Sequence, residues 1–308
     1  MKKFSKICLI IVAVLGGMGL LLGGISALLG GGFGAIRRMA ERGELDAGNW
    51  HIRPYELSDE EDTEDDWGAD DDAKVYTYEA AGIKNLDIDI DAAEIYVKQG
   101  TDDKNLVVRT YGCKEKYYKG DMNKDTLQIQ YEIHKQFPDN YDAQIVIEIP
   151  EKMTFDTMDF DIGAADADFA SGSVNCRTME LNVGAGELTG ADFAVTGTLD
   201  IKLGAGDIDL EGGTYKDIKL DCGMGSFALD GIVAENVKAH CGMGDGSITL
   251  RGREEDYNYK MSCGMGDLTV NGESYSDLSG SYKVTNAGAV GTIDLDCGMG
   301  SIDFDIES

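Results

Sequence analysis

Four copies of one tetrapeptide concentrate sulfur in the C-terminal third of this chain: Cys222-Gly223-Met224-Gly225, Cys241-Gly242-Met243-Gly244, Cys263-Gly264-Met265-Gly266 and Cys297-Gly298-Met299-Gly300. A thiol and a thioether two residues apart could belong to a metal site, a redox relay or an internal column of packing. Zinc takes four ligands tetrahedrally, often from C-x-x-C pairs. Here each repeat offers a single thiol, so stacked repeats would deliver thiols in a straight row. Strands about 4.8 Å apart bring such thiols within disulfide distance, yet side chains of parallel in-register strands lie alongside one another instead of pointing at each other. Equivalent positions in other repeats weigh further. Cysteine aligns with Val183 and Leu203, and methionine with Ala185 and Ala205. A slot that accepts Val, Leu and Cys is an apolar column; free cysteine behaves as a small hydrophobe and methionine fills irregular gaps. The expectation is that all eight sulfur side chains line a dry interior and that the chain needs no metal or cofactor.

Other chemistry finds less support. Asp-x-Asp pairs (Asp207/Asp209, Asp294/Asp296, Asp303/Asp305) invite a calcium reading. Calcium-binding β-rolls, however, repeat their glycine-rich Asp turns about every nine residues, and here the spacing is near twenty. The three histidines, His51, His134 and His240, share no spacing with a nucleophile. No nucleophile elbow, phosphate loop or HExxH occurs, and the Gly-x-Gly units never open a helix, so a dinucleotide site is not expected. A β-helix enzyme acting on polysaccharide would need acids clustered with Arg or Lys on one sheet. The formal charge of −30 argues against nucleic acid, whose phosphates it would repel.

The elements that must position these residues are strands. In "NLDIDIDAAEIYV" Leu86, Ile88, Ile90 and Ala92 share one face and Asp87, Asp89 and Asp91 the other, the period-two alternation of a half-buried strand. In "DIKLDCGMGSFAL" the alternation of Ile218, Leu220, Cys222 and Met224 resumes at Phe227, a step of three. Such a slip is what a bend or bulge does to a strand, and the glycines beside it tolerate positive φ or close backbone approach. Each Gly-x-Gly is therefore a corner: Gly184/Gly186, Gly204/Gly206, Gly223/Gly225, Gly242/Gly244, Gly264/Gly266 and Gly298/Gly300. From Gly163 onward the successive separations are 21, 20, 19, 19, 22 and 34 residues. Near-constant spacing with strand alternation predicts an all-β parallel β-solenoid, a β-helix with coils of about 20 residues. The last gap reads as one coil plus an insertion at "GESYSDLSGSYKVTNAG". One coil buries about six apolar side chains worth roughly 1.5–3 kcal/mol each, against an ordering cost of about 1–2 kcal/mol per residue. It cannot stand without neighbours. "GSIDFDIES" ends the chain with no obvious cap, so an open C-terminal coil is expected, an edge through which copies could self-associate.

The solenoid does not begin at residue 1. Ile7 to Ile36 is free of charge, too long for a signal-peptide core and long enough to span a bilayer near Ile7–Leu29. Residues 1–40 thus read as an N-terminal transmembrane anchor, single-pass, with the body exported. Residues 41–74 read as a disordered linker, since eleven of the seventeen residues Glu56–Asp72 are acidic. Residues 75–308 form the β domain, with strands over 75–150 capping the coils of 151–308.

With "IEIPEKMTFDTMDFDIGAADADF", "LNVGAGELTG" and "IKLGAGDIDL" the chain resembles the bacterial putative-adhesin family of β-strand-repeat domains, which includes LiaG-like envelope proteins. The resemblance implies a parallel β-helix, commonly behind one membrane anchor in Gram-positive bacteria, and brings no catalytic residues. Cysteine and methionine at the corner depart from the small or aliphatic residues more usual there. The expected function is a non-catalytic adhesion, binding or scaffold module of the cell envelope facing a surface ligand. A stress-regulatory accessory acting through a membrane-protein partner is the alternative.

Overall fold

The computed structural model describes residues 73–133, 143–275 and 281–307. The expected anchor, nearly all of the acidic linker, His51 and His134 lie outside the described residues. Among those described, no helix is long and apolar enough to cross a membrane.

The described chain is all-β, apart from two single-turn 3-10 segments at Ala80–Gly82 and Glu254–Asp256. Nine layers stack along one axis, each contributing a strand to sheet I, turning a corner and contributing a strand to sheet II. In Thr214–Cys222 the buried residues are Tyr215, Ile218, Leu220 and Cys222, while Lys216, Lys219 and Asp221 face solvent. The apolar sides of both sheets meet in one continuous core, within which Phe160, Phe169 and Phe193 pack edge to face at 5.0 and 5.4 Å. Gly246 lacks a side chain where the Phe227 ring of the layer below needs the space; an added Cβ would sit 2.0 Å from it.

Layer order differs from sequence order at both ends. Layer 1 is Thr126–Tyr131 with Gln144–Pro150, and layer 2 is the earlier segment Asn85–Ile90 with Glu94–Gly100. Layers 3 to 5 follow the chain: Phe155–Ile162 with Ala167–Phe169, Asn175–Val183 with Glu187–Ala191, and Ala194–Leu203 with Asp207–Glu211. Layer 6 joins Thr214–Cys222 to the first half of Ser226–Cys241, whose second half forms layer 7 with Asp245–Arg251. The last coil of the chain, Gly291–Cys297 with Ser301–Glu307, is then layer 8, because it pairs in parallel with layer 7 on one side and with Tyr257–Cys263 and Asp267–Val270, layer 9, on the other. The first and the last coils of the domain are thus both interior.

This corrects the expectation of an open C-terminal coil. The C-terminal strands are hydrogen-bonded along both edges. The true ends are closed by antiparallel strands: Tyr118–Asn123 and Asn105–Tyr111 on layer 1, with Lys74–Glu79 outermost in sheet II, and Ser281–Val284 and the two-residue Glu273–Ser274 on layer 9. Short antiparallel edges bearing lysine (Lys74, Lys119, Lys283) discourage edge-to-edge pairing. Residues 75–150 accordingly do more than cap, since they also supply two full layers.

The two corners of each coil use different backbone devices. At the far corner the coils use positive φ: Gly172 at 68°, Asp192 at 54°, the adjacent Gly212 and Gly213 at 65° and 88°, and Gly231 at 61°. At the Gly-x-Gly corner none does, and the second sequence-based possibility, close approach, holds instead. An added Cβ would lie 2.1 Å from the Gly186 oxygen at Gly206, 1.9 Å from the Gly206 oxygen at Gly225 and 1.8 Å from the Gly225 oxygen at Gly244. The same holds for Gly186, Gly266 and Gly300. The first glycines are looser, at 2.5–2.9 Å for Gly184, Gly204, Gly223, Gly242, Gly264 and Gly298.

Candidate binding surfaces

The corner separates the two kinds of sulfur. Cys222, Cys241, Cys297 and Cys263 pair in register through layers 6 to 9, all buried and free. Each thiol donates to the carbonyl three residues on, at 3.0–3.2 Å, so Cys222 reaches Gly225 and Cys241 reaches Gly244. Burial, more than the neighbouring thiol, pushes Cys222 and Cys297 up to about 12, so these groups are inert thiols at neutral pH. Methionine departs from expectation. Met224, Met243, Met299 and Met265 are 44, 51, 54 and 71% exposed. Alternation does not carry through the three-residue step: the middle residue of Gly-x-Gly sits on the outside of the bend.

The broad outer face of sheet I carries charge in two blocks. In layers 2 to 4 Asp87, Asp159 and Glu180 stand in register, with Asp89 beside Asp161 in the next column. Asp159 is flanked above and below by carboxylates, and its Oδ1 is buried without a partner. Desolvation first, then the charges of Glu180, Asp87 and Asp161, raise its pKa; desolvation and Asp161 do the same for Asp89. In layers 5 to 9 lysines and aspartates are interspersed, with Asp200 opposite Lys219 and Asp294 opposite both Lys238 and Lys260. Lys202 pairs with Glu180, Lys260 with Asp294 at 3.0 Å, and His240 Nδ1 lies 3.2 Å from Asp296. Lys219 and Lys238 stand directly opposite each other in layers 6 and 7, both exposed. Among the described residues neither makes an ion pair or a side-chain hydrogen bond. These lysines and His240, with Asp200, Asp221, Asp294 and Asp296, line a shallow depression of about 450 Å³.

The Asp-x-Asp pairs do not assemble into a site. Asp207/Asp209 and Asp303/Asp305 face outward from sheet II and Asp294/Asp296 from sheet I, and no three His, Cys, Asp or Glu side chains converge as a metal-binding group among the described residues. The Lys219–Lys238 pair joins consecutive coils, so the coil register alone places the two side by side; that neither makes an ion pair is visible only in the structure.

The family model described as Toastrack DUF4097 matches residues 83–295, the larger part of the chain. The chain belongs to the Toastrack DUF4097 family. The match begins just before layer 2 in the chain and ends within layer 8, so it spans the stacked core of the Toastrack domain. Three solved structures similar to it are a putative adhesin from Bacteroides fragilis (17% identity, TM-score 0.47, 76% of this chain and 98% of that one), a putative adhesin from Parabacteroides distasonis (13%, 0.44, 76% and 97%) and a putative lipid binding protein from the same organism (13%, 0.34, 77% and 97%). A search of curated proteins gives no match.

Proposed function

We propose that the Toastrack domain of this chain is a non-catalytic binding module of the bacterial cell envelope, anchored through its N-terminal segment, and that its contact surface is the lysine end of sheet I. The observation that carries this reading is the Lys219–Lys238 pair. Like charges directly opposite on a sheet repel, and within a chain of formal charge −30 carboxylates are available to neutralise nearly any cation. Two adjacent lysines that make no ion pair, although Asp200 and Asp294 stand opposite them on the sheet, line a shallow depression and suit a ligand group that brings its own anionic oxygens, carboxylate or phosphate. A rigid two-faced stack holds such a pair at strand spacing without reorganisation on binding.

The test is co-sedimentation of the full-length protein in detergent with envelope fragments across a salt series. Binding should fall as salt rises, and Lys219→Ala with Lys238→Ala should weaken it by about tenfold, the effect of losing roughly 1.4 kcal/mol. Binding unchanged by the double substitution would overturn the assignment of this face. A membrane protein that co-purifies only when residues 1–40 are present would move the reading to regulation.

A further inference from the structure

Four exposed methionines in register are not explained by packing. Layers 4 and 5 combine Val183 with Ala185 and Leu203 with Ala205; layers 6 to 9 combine cysteine with methionine at the same two positions. The corner closes as well over alanine as over methionine, so the fold does not need the larger side chain. Cysteine and methionine enter together, although the thiol is inside and the thioether outside. What the two share is sulfur.

The geometry of the row is set by the backbone. Met224 N donates to Gly204 O at 2.9 Å, Met243 N to Gly223 O at 2.9 Å, Met299 N to Gly242 O at 2.7 Å and Met265 N to Gly298 O at 2.8 Å. The four residues therefore follow one another at the strand repeat of about 4.8 Å. A metal ion held in line between two sulfurs by bonds of about 2.3 Å separates those sulfurs by about 4.6 Å, close to that repeat. Thioethers are soft, uncharged donors that favour Cu(I) over magnesium, calcium or manganese, and the unbranched methionine side chain adjusts readily. Asp245 and Asp267 follow Met243 and Met265 by two residues, while the hydroxyls of Ser226 and Ser301 donate to Asp207 and Asp245. The strip is thus bordered by carboxylates.

We propose that the Met224–Met243–Met299–Met265 row is a binding strip for a soft monovalent cation, Cu(I) or Ag(I), held between the thioethers of adjacent layers. The strip lies at the corner and does not rest on the reading of the lysine face. The buried thiols beneath donate inward to glycine carbonyls and lie outside the ligand set. Because thioethers carry no proton, binding is indifferent to pH in the range where imidazole and thiolate ligands are lost to protonation.

The experiment is calorimetric titration of full-length protein in detergent with Ag(I) in chloride-free buffer, at about pH 7 and about pH 5, on either side of imidazole titration. Two fourfold variants accompany it: Met224→Leu, Met243→Leu, Met265→Leu and Met299→Leu, and Cys222→Val, Cys241→Val, Cys263→Val and Cys297→Val. The leucines replace exposed side chains, so the fold survives, as the melting midpoint will report. The proposal expects tight Ag(I) binding that persists at the lower pH, survives the cysteine variant and drops by about tenfold or more in the methionine variant. No binding by the wild type, equal binding by the methionine variant, or loss in a folded cysteine variant overturns it. Should the cysteine variant not fold, the methionine variant decides, since silver binding undiminished there assigns the ion to the thiols and overturns the proposal.

Discussion

The Gly-x-Gly corner makes a graded prediction about alanine. At Gly244 an added Cβ would lie 1.8 Å from the Gly225 oxygen and 3.1 Å from Cys222 Sγ; at Gly242 the nearest atom, the Gly223 oxygen, is 2.8 Å away; at Gly82 nothing lies within 4 Å. For Gly244→Ala the clashing atom is backbone and cannot rotate away. Relieving it requires layers 6 and 7 to part by about 1 Å or more at that point, and the strand repeat of about 4.8 Å leaves no such slack. The bond from Asp245 N to Gly225 O, 3.3 Å already, would be lost. Moving layer 7 the other way is also blocked, because the Ser301 N–H of layer 8 already donates to the Gly244 oxygen at 3.0 Å. One ladder hydrogen bond at about 0.5–1.5 kcal/mol and overpacking at about 1–3 kcal/mol sum to about 2–4 kcal/mol. At about 2–4 °C per kcal/mol for a domain of this size, Gly244→Ala should lower the melting midpoint by roughly 4–16 °C. Gly242→Ala should cost less, and Gly82→Ala should stay within about 0.5 kcal/mol of wild type. Urea and thermal unfolding followed by circular dichroism measure the series. Gly244→Ala melting with Gly82→Ala would mean the layers are not packed backbone to backbone at the corner, and the account of the repeat would fail.

Two further predictions concern charge and layer order. Asp159→Asn should stabilise the protein at neutral pH by about 0.2–1 kcal/mol, the scale of a cross-strand charge pair, and by less in salt. Its native pKa is raised, so the folded state holds the proton more tightly than the unfolded state does. The penalty is present in full above the native pKa and fades as pH falls through it, so the gain from asparagine should vanish on acidification; a gain that grows toward low pH would refute this. Removing residues 289–308 should do more than shorten the stack. It deletes Ile293, Leu295, Cys297, Ile302 and Phe304, each at most 1% exposed, worth about 8–15 kcal/mol at roughly 1.5–3 kcal/mol per side chain. It also strips layer 9 of its only parallel partner, so amide exchange over 257–270 should become fast; retained protection there would contradict the layer order.

Much of the fold was legible because a coil states its requirements locally. Alternation assigned Ile218, Leu220 and Cys222 to the core, and the three-residue step at Met224 marked the corner. The direction of Met224 was not legible, since a bend breaks the rule that made its neighbours readable. Layer order was hidden for another reason: coils with the same register and apolar columns are interchangeable neighbours, so pairing energy hardly distinguishes them. Two signals were nevertheless present. The gap of 34 residues between Gly264 and Gly298 supplies the chain needed to step back over a layer. In sequence order Lys219, Lys238 and Lys260 would stack three like charges, and only insertion of Asp294 between the last two gives Lys260 its partner.

That interchangeability bears on how function can be written onto such a domain. The inward columns answer to packing and the corner glycines to backbone approach, which leaves little freedom at either. The outward columns carry few structural obligations beyond solubility, so a residue there that the fold does not require is informative. Lys219 and Lys238 face each other and neither makes an ion pair, although Asp200 and Asp294 stand opposite them in the ladder; methionine occupies an exposed corner that alanine closes equally well. The lysine pair lies in layers 6 and 7, and the methionine row runs from layer 6 to layer 9. An interior coil at each end protects the stack from fraying and holds these outward positions at fixed strand spacing, so a partner that needs two or more of them at once meets a surface already set in place.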